Sequence, residues 1–234
     1  DNLLKPDLVA PGNRIFSIGA TTVSPINPQW DLIATTYPDL VSATGGTQQP
    51  RQTLMMLSGT SMAAPAVAGT VALMLQANPG LTPPLVKAIL QYTAQPLPGY
   101  ALVQQGAGLL NVEGAVRLAK ALRTDIAGAI DAGTIGAGAA MLVTSKSTMP
   151  VASTTVNGET FAWSRMVFAG GTHILGGDTL FTKFQPIYNP RLRWVKNSVS
   201  GFNLQYWTTT PANMYLKYVY EAAAPAQSLV TAGV

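Results

Sequence analysis

Gly59, Thr60, Ser61, Met62, Ala63, Ala64 and Pro65 place a serine where a polar turn gives way to a long apolar run ending at Ala77. Proline lacks an N–H and is tolerated only in the first turn of a helix, so Pro65 predicts a helix starting within a residue or two of Ser61. Serine at that place sits at the positive end of the helix dipole, with its own N–H free to face a developing oxyanion. Gly59, Ala63 and Ala64 are small enough for a substrate backbone to approach closely. These residues point to nucleophilic acyl transfer by Ser61, bordered by Gly59, Thr60 and Met62. A serine that merely caps a helix is the competing reading of Ser61 taken alone. Ala66, Val67, Ala68, Val71, Ala72, Leu73, Met74 and Leu75 are apolar nearly all round, which predicts a buried helix. Gly69, Thr70 and Gln76 interrupt the run and favour a soluble core helix over a membrane span.

The surroundings of Ser61 carry more than a cap requires. GTSMAAP, continued by VAGTVALMLQANPGLTPPLVKAIL and preceded by KPDLVAPG at Lys5 to Gly12, resembles the serine-bearing half of the subtilisin-like (subtilase) serine peptidases. The likeness runs from about Lys5 to Leu122 and is broken by an insertion at about 20–51. It implies that Ser61 is the nucleophile and that its amide forms part of the oxyanion hole. It also implies an α/β fold, the C-terminal part of a layered catalytic domain. In that family the catalytic order is Asp, His, Ser, so the orienting acid, the base and an oxyanion Asn are expected upstream of Asp1. The chain is therefore expected to be the C-terminal product of a cleavage, or one subunit of a split enzyme. Alone it is expected to be inactive, and to work on peptide or protein substrates beside a complementary N-terminal chain carrying the Asp and His.

His173, the sole histidine, sits in GGTHILGG, which superficially resembles the HGTHVAG signature of the same family. The catalytic histidine of that signature is the first one, and its place here is taken by Gly170. His173 is thus read as a strand residue, Asp7 as a structural strand residue and Asp178 as a repeat or turn residue. Calcium sites are common in the family, but no local carboxylate cluster supports one here, so neither a metal site nor a cofactor is expected.

Composition narrows the partners. Charged residues are 10% and hydrophobic ones 47%, a balance closer to a stable secreted or cell-surface protein than to a disordered one. The net charge of +4 comes from scattered Lys and Arg with no basic run, which gives no nucleic-acid footprint. Without cysteine the chain forms no disulfides or thiolate metal sites. The start, DNLLKPD, lacks the basic and apolar regions of a signal peptide.

The elements that must position Ser61 read as follows. Asp7 to Ala10 is a short buried strand ended by Pro11 and Gly12, with Arg14 to Ile18 continuing it. The insertion holds one ordered piece around Leu32 to Tyr37; its Trp30, Tyr37 and Arg51 either border a cleft or simply anchor the loop. Thr53 to Leu57 is the strand that delivers the serine. Asn78, Pro79 and Gly80 stop the first helix, Thr82 caps a second before Pro83 and Pro84, and Asn111 or a neighbour starts a third. These make up a first domain, 1–123.

Residues 124–159, with the Gly/Ala-rich run Ile126 to Ala139, read as a linker or arm. Residues 160–234 read as a mainly β region opening on a six-residue repeat: TFAWSR, MVFAGG, THILGG, DTLFTK. An irregular meander is favoured over solenoid rungs, with further strands at Leu192 to Val195, Phe202 to Thr208 and Met214 to Tyr220, and a disordered tail. A second function stays open: a catalytically silent subtilase scaffold whose β-rich C-terminal region mediates self-assembly or surface attachment.

Overall fold

The computed structural model describes residues 4–19, 36–42, 54–145, 148–169 and 173–190, and the backbone of 202–207 and 215–220. The chain divides into two compact units, Val9–Val71 and Ala72–Val234 with Asp1–Leu8.

In the smaller unit the chain passes through the turn at Pro11 and Gly12 into strand β1 (Ile15–Ile18), a short helix α1 (Pro38–Ser42) and strand β2 (Leu54–Leu57). The two strands pair antiparallel, Ile15 opposite Leu57 and Ile18 opposite Leu54. The continuation after the Pro-Gly turn and the strand before the serine are thus both present. Asp7 to Ala10 is not a strand; it makes a single bridge at Val9, and Asp7 lies in a bend. Most of the ordered piece expected at Leu32 to Tyr37 lies outside the described residues; Tyr37 is exposed and leads into the helix at Pro38–Ser42. Trp30 and Arg51 lie outside the described residues, as do Leu192 to Val195 and the tail after Tyr220.

Helix α2 (Thr60–Ala77) begins one residue before Ser61, as the proline predicts, although Pro65 falls in its second turn, not its first. Its burial departs from the expectation. Thr70 and Met74 are buried, Met62, Ala63, Val67, Val71 and Ala77 are half-buried, and Leu73 and Leu75 are 47% and 41% exposed. The described residues supply packing partners along one stripe only, so the apolar remainder meets solvent. Among the described residues it is also the one helix long and apolar enough to cross a membrane.

The larger unit is built on helix α3 (Pro83–Thr93), in which Leu85, Val86 and every residue from Ala88 to Thr93 are buried. Thr82 does not cap it with its side chain; its hydroxyl donates to the Tyr188 carbonyl at 2.6 Å, and Pro83 and Pro84 need no N–H acceptor in the first turn. After a single turn, α4 (Leu102–Gln105), comes helix α5 (Val112–Ala121), capped as expected by Asn111, whose Oδ1 accepts from the Gly114 N–H. Ala115, Leu118 and Ala119 on this helix and Leu122 at its end are buried, while Val112 is exposed. Asn78 is fully buried between these elements. Its Nδ2 donates to the carbonyls of Ala119, Leu122 and Arg123 at 2.9, 3.1 and 3.3 Å, around the end of α5, and its Oδ1 accepts from the Gly80 N–H.

The Gly/Ala-rich run is no free linker. Ile126–Asp131 forms helix α6 with Ile126, Ala129 and Ile130 buried, because two isoleucines spaced four apart give it an apolar face despite the glycine. Strands β3 (Ser153–Val156) and β4 (Glu159–Ala162) form one antiparallel hairpin, turned at Asn157 and Gly158, both with positive φ. Strands β5 (Met166–Ala169) and β6 (His173–Gly176) form another. The fourth unit of the apparent repeat is helix α7 (Thr179–Thr182), so the six-residue spacing marks neither rungs nor one continuous meander. Leu180 and Phe181, two of its apolar residues, face the core as a helical pair, and a 3₁₀ turn at Pro186–Tyr188 follows. His173 lies in β6, a strand as read. Beyond these, β7 (Phe202–Trp207) and β8 (Tyr215–Tyr220) pair antiparallel. The described strands thus form four separate two-stranded sheets among helices, a mixed α/β chain.

Side chains from residues 154–188 enter the core of the helices. Tyr92 on α3 meets Phe181 edge-on at 4.7 Å between ring centres and Trp163 at 6.2 Å. The Thr154 hydroxyl accepts from Asn111 Nδ2 and Trp163 Nε1 and donates to Glu113, while the Arg117 guanidinium lies 4.8 Å over the Trp163 ring.

Two stability predictions rest on polar anchors, the buried Asn78 and the half-buried Asp7. Asn78→Ala removes the side chain that bonds to four backbone groups in a buried corner and is expected to lower stability by about 2–3 kcal/mol, read as a fall in the urea midpoint. Asp7 is held by Lys5, Lys87 and Gln91. Partial burial alone raises its carboxyl, but the two lysines outweigh this and hold it below the usual carboxylate range. The folded value is the lower one, so the stabilisation is full above about pH 4 and is lost as pH falls further. Asp7→Asn is expected to flatten stability against pH on that acid limb; an unchanged slope refutes the assignment.

Candidate active site

Ser61 is the second residue of α2 and is exposed. Among the described residues neither its hydroxyl nor its backbone N–H has a hydrogen-bond partner. Its carbonyl also loses a partner, because the residue four positions on is Pro65, which has no N–H to give. The helix ladder starts around it instead: Met62 and Ala63 both donate to the Gly59 carbonyl, at 3.0 and 3.3 Å. Ser61 therefore presents an unengaged hydroxyl and an unengaged amide at the positive end of an 18-residue helix. An acyl carbonyl attacked by the hydroxyl would place its developing negative charge where that amide and the dipole favour it.

The residues just before Ser61 are fixed by the turn that precedes β1. Gly59 N–H donates to the Gly12 carbonyl at 2.7 Å. Ser58 Oγ accepts from the Arg14 N–H at 2.8 Å and donates to Asn13 Oδ1 at 2.9 Å. Gly12 packs so closely that a Cβ there would stand 2.6 Å from the Gly59 carbonyl oxygen and 3.0 Å from the Ala63 Cβ. Only glycine fits, and this gives a physical role to the Pro-Gly pair that ends KPDLVAPG. The sequence reading marked Pro11 and Gly12 as a turn but missed Asn13, Arg14 and Ser58. The adjacency of Ser58 to the motif was the available signal, yet nothing in the spacing says that residues 44 and 45 positions apart would meet.

Of the sequence-predicted site residues, Gly59, Thr60, Ser61 and Met62 stand together at the helix start, the first three exposed and Met62 half-buried. Asp7 and Asp178 hold structural partners. Asp178 Oδ1 accepts from the buried Tyr92 hydroxyl at 2.7 Å and from Arg165 at 2.9 Å. Burial, and then the bond to Asp178, push the Tyr92 hydroxyl up to about 12, so it stays protonated and serves as a donor.

The Gly12 turn and this helix start both lie inside the segment that the sequence comparisons match. Residues 1–116 match the model of the Subtilase family. The first half of the chain belongs to that family. The chain is 36% identical over 93 residues to Subtilisin-like protease SBT2.3 of Arabidopsis thaliana, covering 40% of this chain and 9% of the relative. It is 48% identical over 63 residues to an Extracellular protease of Xanthomonas campestris pv. campestris, covering 26% and 11%. It is 35% identical over 114 residues to Serine protease AprX of Bacillus subtilis, covering 48% and 22%. The chain thus spans between 9% and 22% of these relatives' own lengths.

Because Gly12 has no room for a methyl group, Gly12→Ala is expected to displace the serine loop and cost about 1–3 kcal/mol of stability. Faster hydrogen exchange at the Gly59 amide reports the displacement directly. Exchange and melting as in the unaltered chain would show that the close approach has no structural weight.

Proposed function

We propose that this chain is the nucleophile-bearing part of a subtilisin-type serine endopeptidase, with Ser61 as the attacking group and its amide as one oxyanion donor. The observation that carries the reading is the hydroxyl and N–H of Ser61, without a partner among the described residues, at the start of α2 and inside a segment that belongs to the subtilase family. The base and its orienting carboxylate are assigned to residues outside these 234, on a preceding part of the same protein or on a partner chain. His173 is in strand β6, is separated from Ser61 by more than a hundred positions in the wrong order, and has no role in this reading.

Ser61 Oγ would attack the scissile carbonyl as the external base takes its proton, and the oxyanion would gather against the Ser61 amide. The leaving amine would then depart with a proton returned by the same base, and water would release the acyl group by the reverse sequence. Two features support dependence on a larger assembly: the short span of this chain relative to its relatives, and the exposed apolar surface of α2. Leu73 and Leu75 on that helix, together with Phe16, Ile18 and Leu54 of the β1–β2 pair, give each unit apolar surface that a fuller catalytic domain would cover. A secreted or cell-surface location is proposed from the low charge and from the extracellular relative.

A fluorophosphonate probe is expected to modify Ser61 when the residues supplying the base are present, and Ser61→Ala is expected to remove both the label and peptidase activity. Equal labelling with and without those residues would defeat the proposal that the base lies outside this chain.

A further inference from the structure

We infer that Ser58 and Asn13 are positioning residues for the nucleophile, acting through the turn at 11–14; the inference rests on the peptidase reading of Ser61. The hydrogen bonds Asn13 Oδ1 to Ser58 Oγ, Ser58 Oγ to Arg14 N–H and Gly12 carbonyl to Gly59 N–H all bear on two residues lying two and three positions before Ser61. On the other side, two residues after Ser61, the Ala63 Cβ and amide close against Gly12. One turn therefore grips the chain on both flanks of the serine, while the serine hydroxyl and amide have no partner among the described residues. Its placement is inherited from this grip.

The chemistry of Ser58 fits ordering better than mere satisfaction. Both Ser58 and Asn13 are exposed, so water could serve their polar groups without any protein partner. Ser58 nevertheless uses its hydroxyl as acceptor and donor at once, to two consecutive residues of one turn. Arg14 adopts φ of 53°, a left-handed conformation that a side chain with a Cβ disfavours. In that conformation its N–H points at Ser58, so the strained residue is the one that donates the bond. Strain of this kind persists where surrounding contacts over-determine it, and it gathers at functional sites. A nucleophile misplaced by a fraction of an ångström loses rate steeply because attack needs a near-aligned geometry.

The test uses the complete protein, with the parts that supply the base, and measures the rate of fluorophosphonate labelling at Ser61, kcat and KM on a peptide substrate, and the thermal midpoint. Ser58→Ala is expected to slow labelling and lower kcat by about 10-fold with KM and the midpoint nearly unchanged. Ser58→Thr, which keeps the hydroxyl, is expected to restore most of the rate, and Asn13→Ala to show a weaker form of the Ser58→Ala effect. Labelling of Ser58→Ala at the unaltered rate overturns the inference while leaving the peptidase reading intact. A fall in the midpoint that accounts for the lost activity, or no rescue by threonine, also overturns it in favour of a purely structural role. If the unaltered protein takes no label at Ser61, the peptidase reading falls and takes this inference with it.

Discussion

The larger unit hangs on the buried carboxamide of Gln91. Its Nε2 donates to Asp7 at 2.9 Å and its Oε1 accepts from the Phe168 N–H at 2.9 Å, so one side chain joins segments 84 and 77 residues away. Gln91 is fully buried, and a buried amide left without partners costs more than the bonds it makes are worth, so all three segments must stay together. The same junction places Ala94, Ala107 and Phe168 in one apolar cluster with Leu4, Leu102 and Met166. Gly106 sits so near the Pro6 and Asp7 carbonyls that no side chain fits there, at a positive φ that suits glycine. KPDLVAPG is therefore divided in its duties. Its first half is bound into the α3 core through Asp7, and its end, Gly12, braces the serine loop of the smaller unit.

That division bears on how residues beyond the subtilase segment relate to it. Trp163, Phe168, Phe181 and Tyr188 lie outside the matched residues 1–116, yet they are buried against α3 and α5. Thr82 reaches the Tyr188 carbonyl across 106 positions, and Ser164 and Arg165 donate backbone N–H bonds to Ala94 and Tyr92 at the end of α3. Residues up to about 190 thus complete the core of the helices instead of forming an appendage to it. Helix α2 is the opposite case, apolar beyond the needs of its own described neighbours.

Local chemistry was legible where a single residue type decides the outcome. Pro65, Pro83 and Pro84 located helix starts because proline lacks a donor, Asn111 announced its cap, and Asn-Gly at 157–158 turns a hairpin. Patterns that average over several residues misled. The six-residue repeat hid the second strand of one hairpin, a complete second hairpin and a helix, since DTLFTK has the same apolar spacing in either state and packing against Tyr92 and Tyr188 selects the helix. The Gly/Ala-rich run looked like a linker because composition does not weigh two well-placed isoleucines.

By itself the sequence determined the family of the first half, the start of the helix that bears Ser61, and the absence of a usable histidine in the expected order. These are properties of residues close together in the chain, where backbone sterics and missing donors act. Tertiary structure alone decided that Gly12 must be glycine, that Ser58 clasps Asn13 and Arg14, that Gln91 binds Asp7, and that α2 leaves much of its apolar surface uncovered. Each of those depends on which distant segments meet, and contact at a separation of 44 or 84 residues leaves no periodic trace in the sequence.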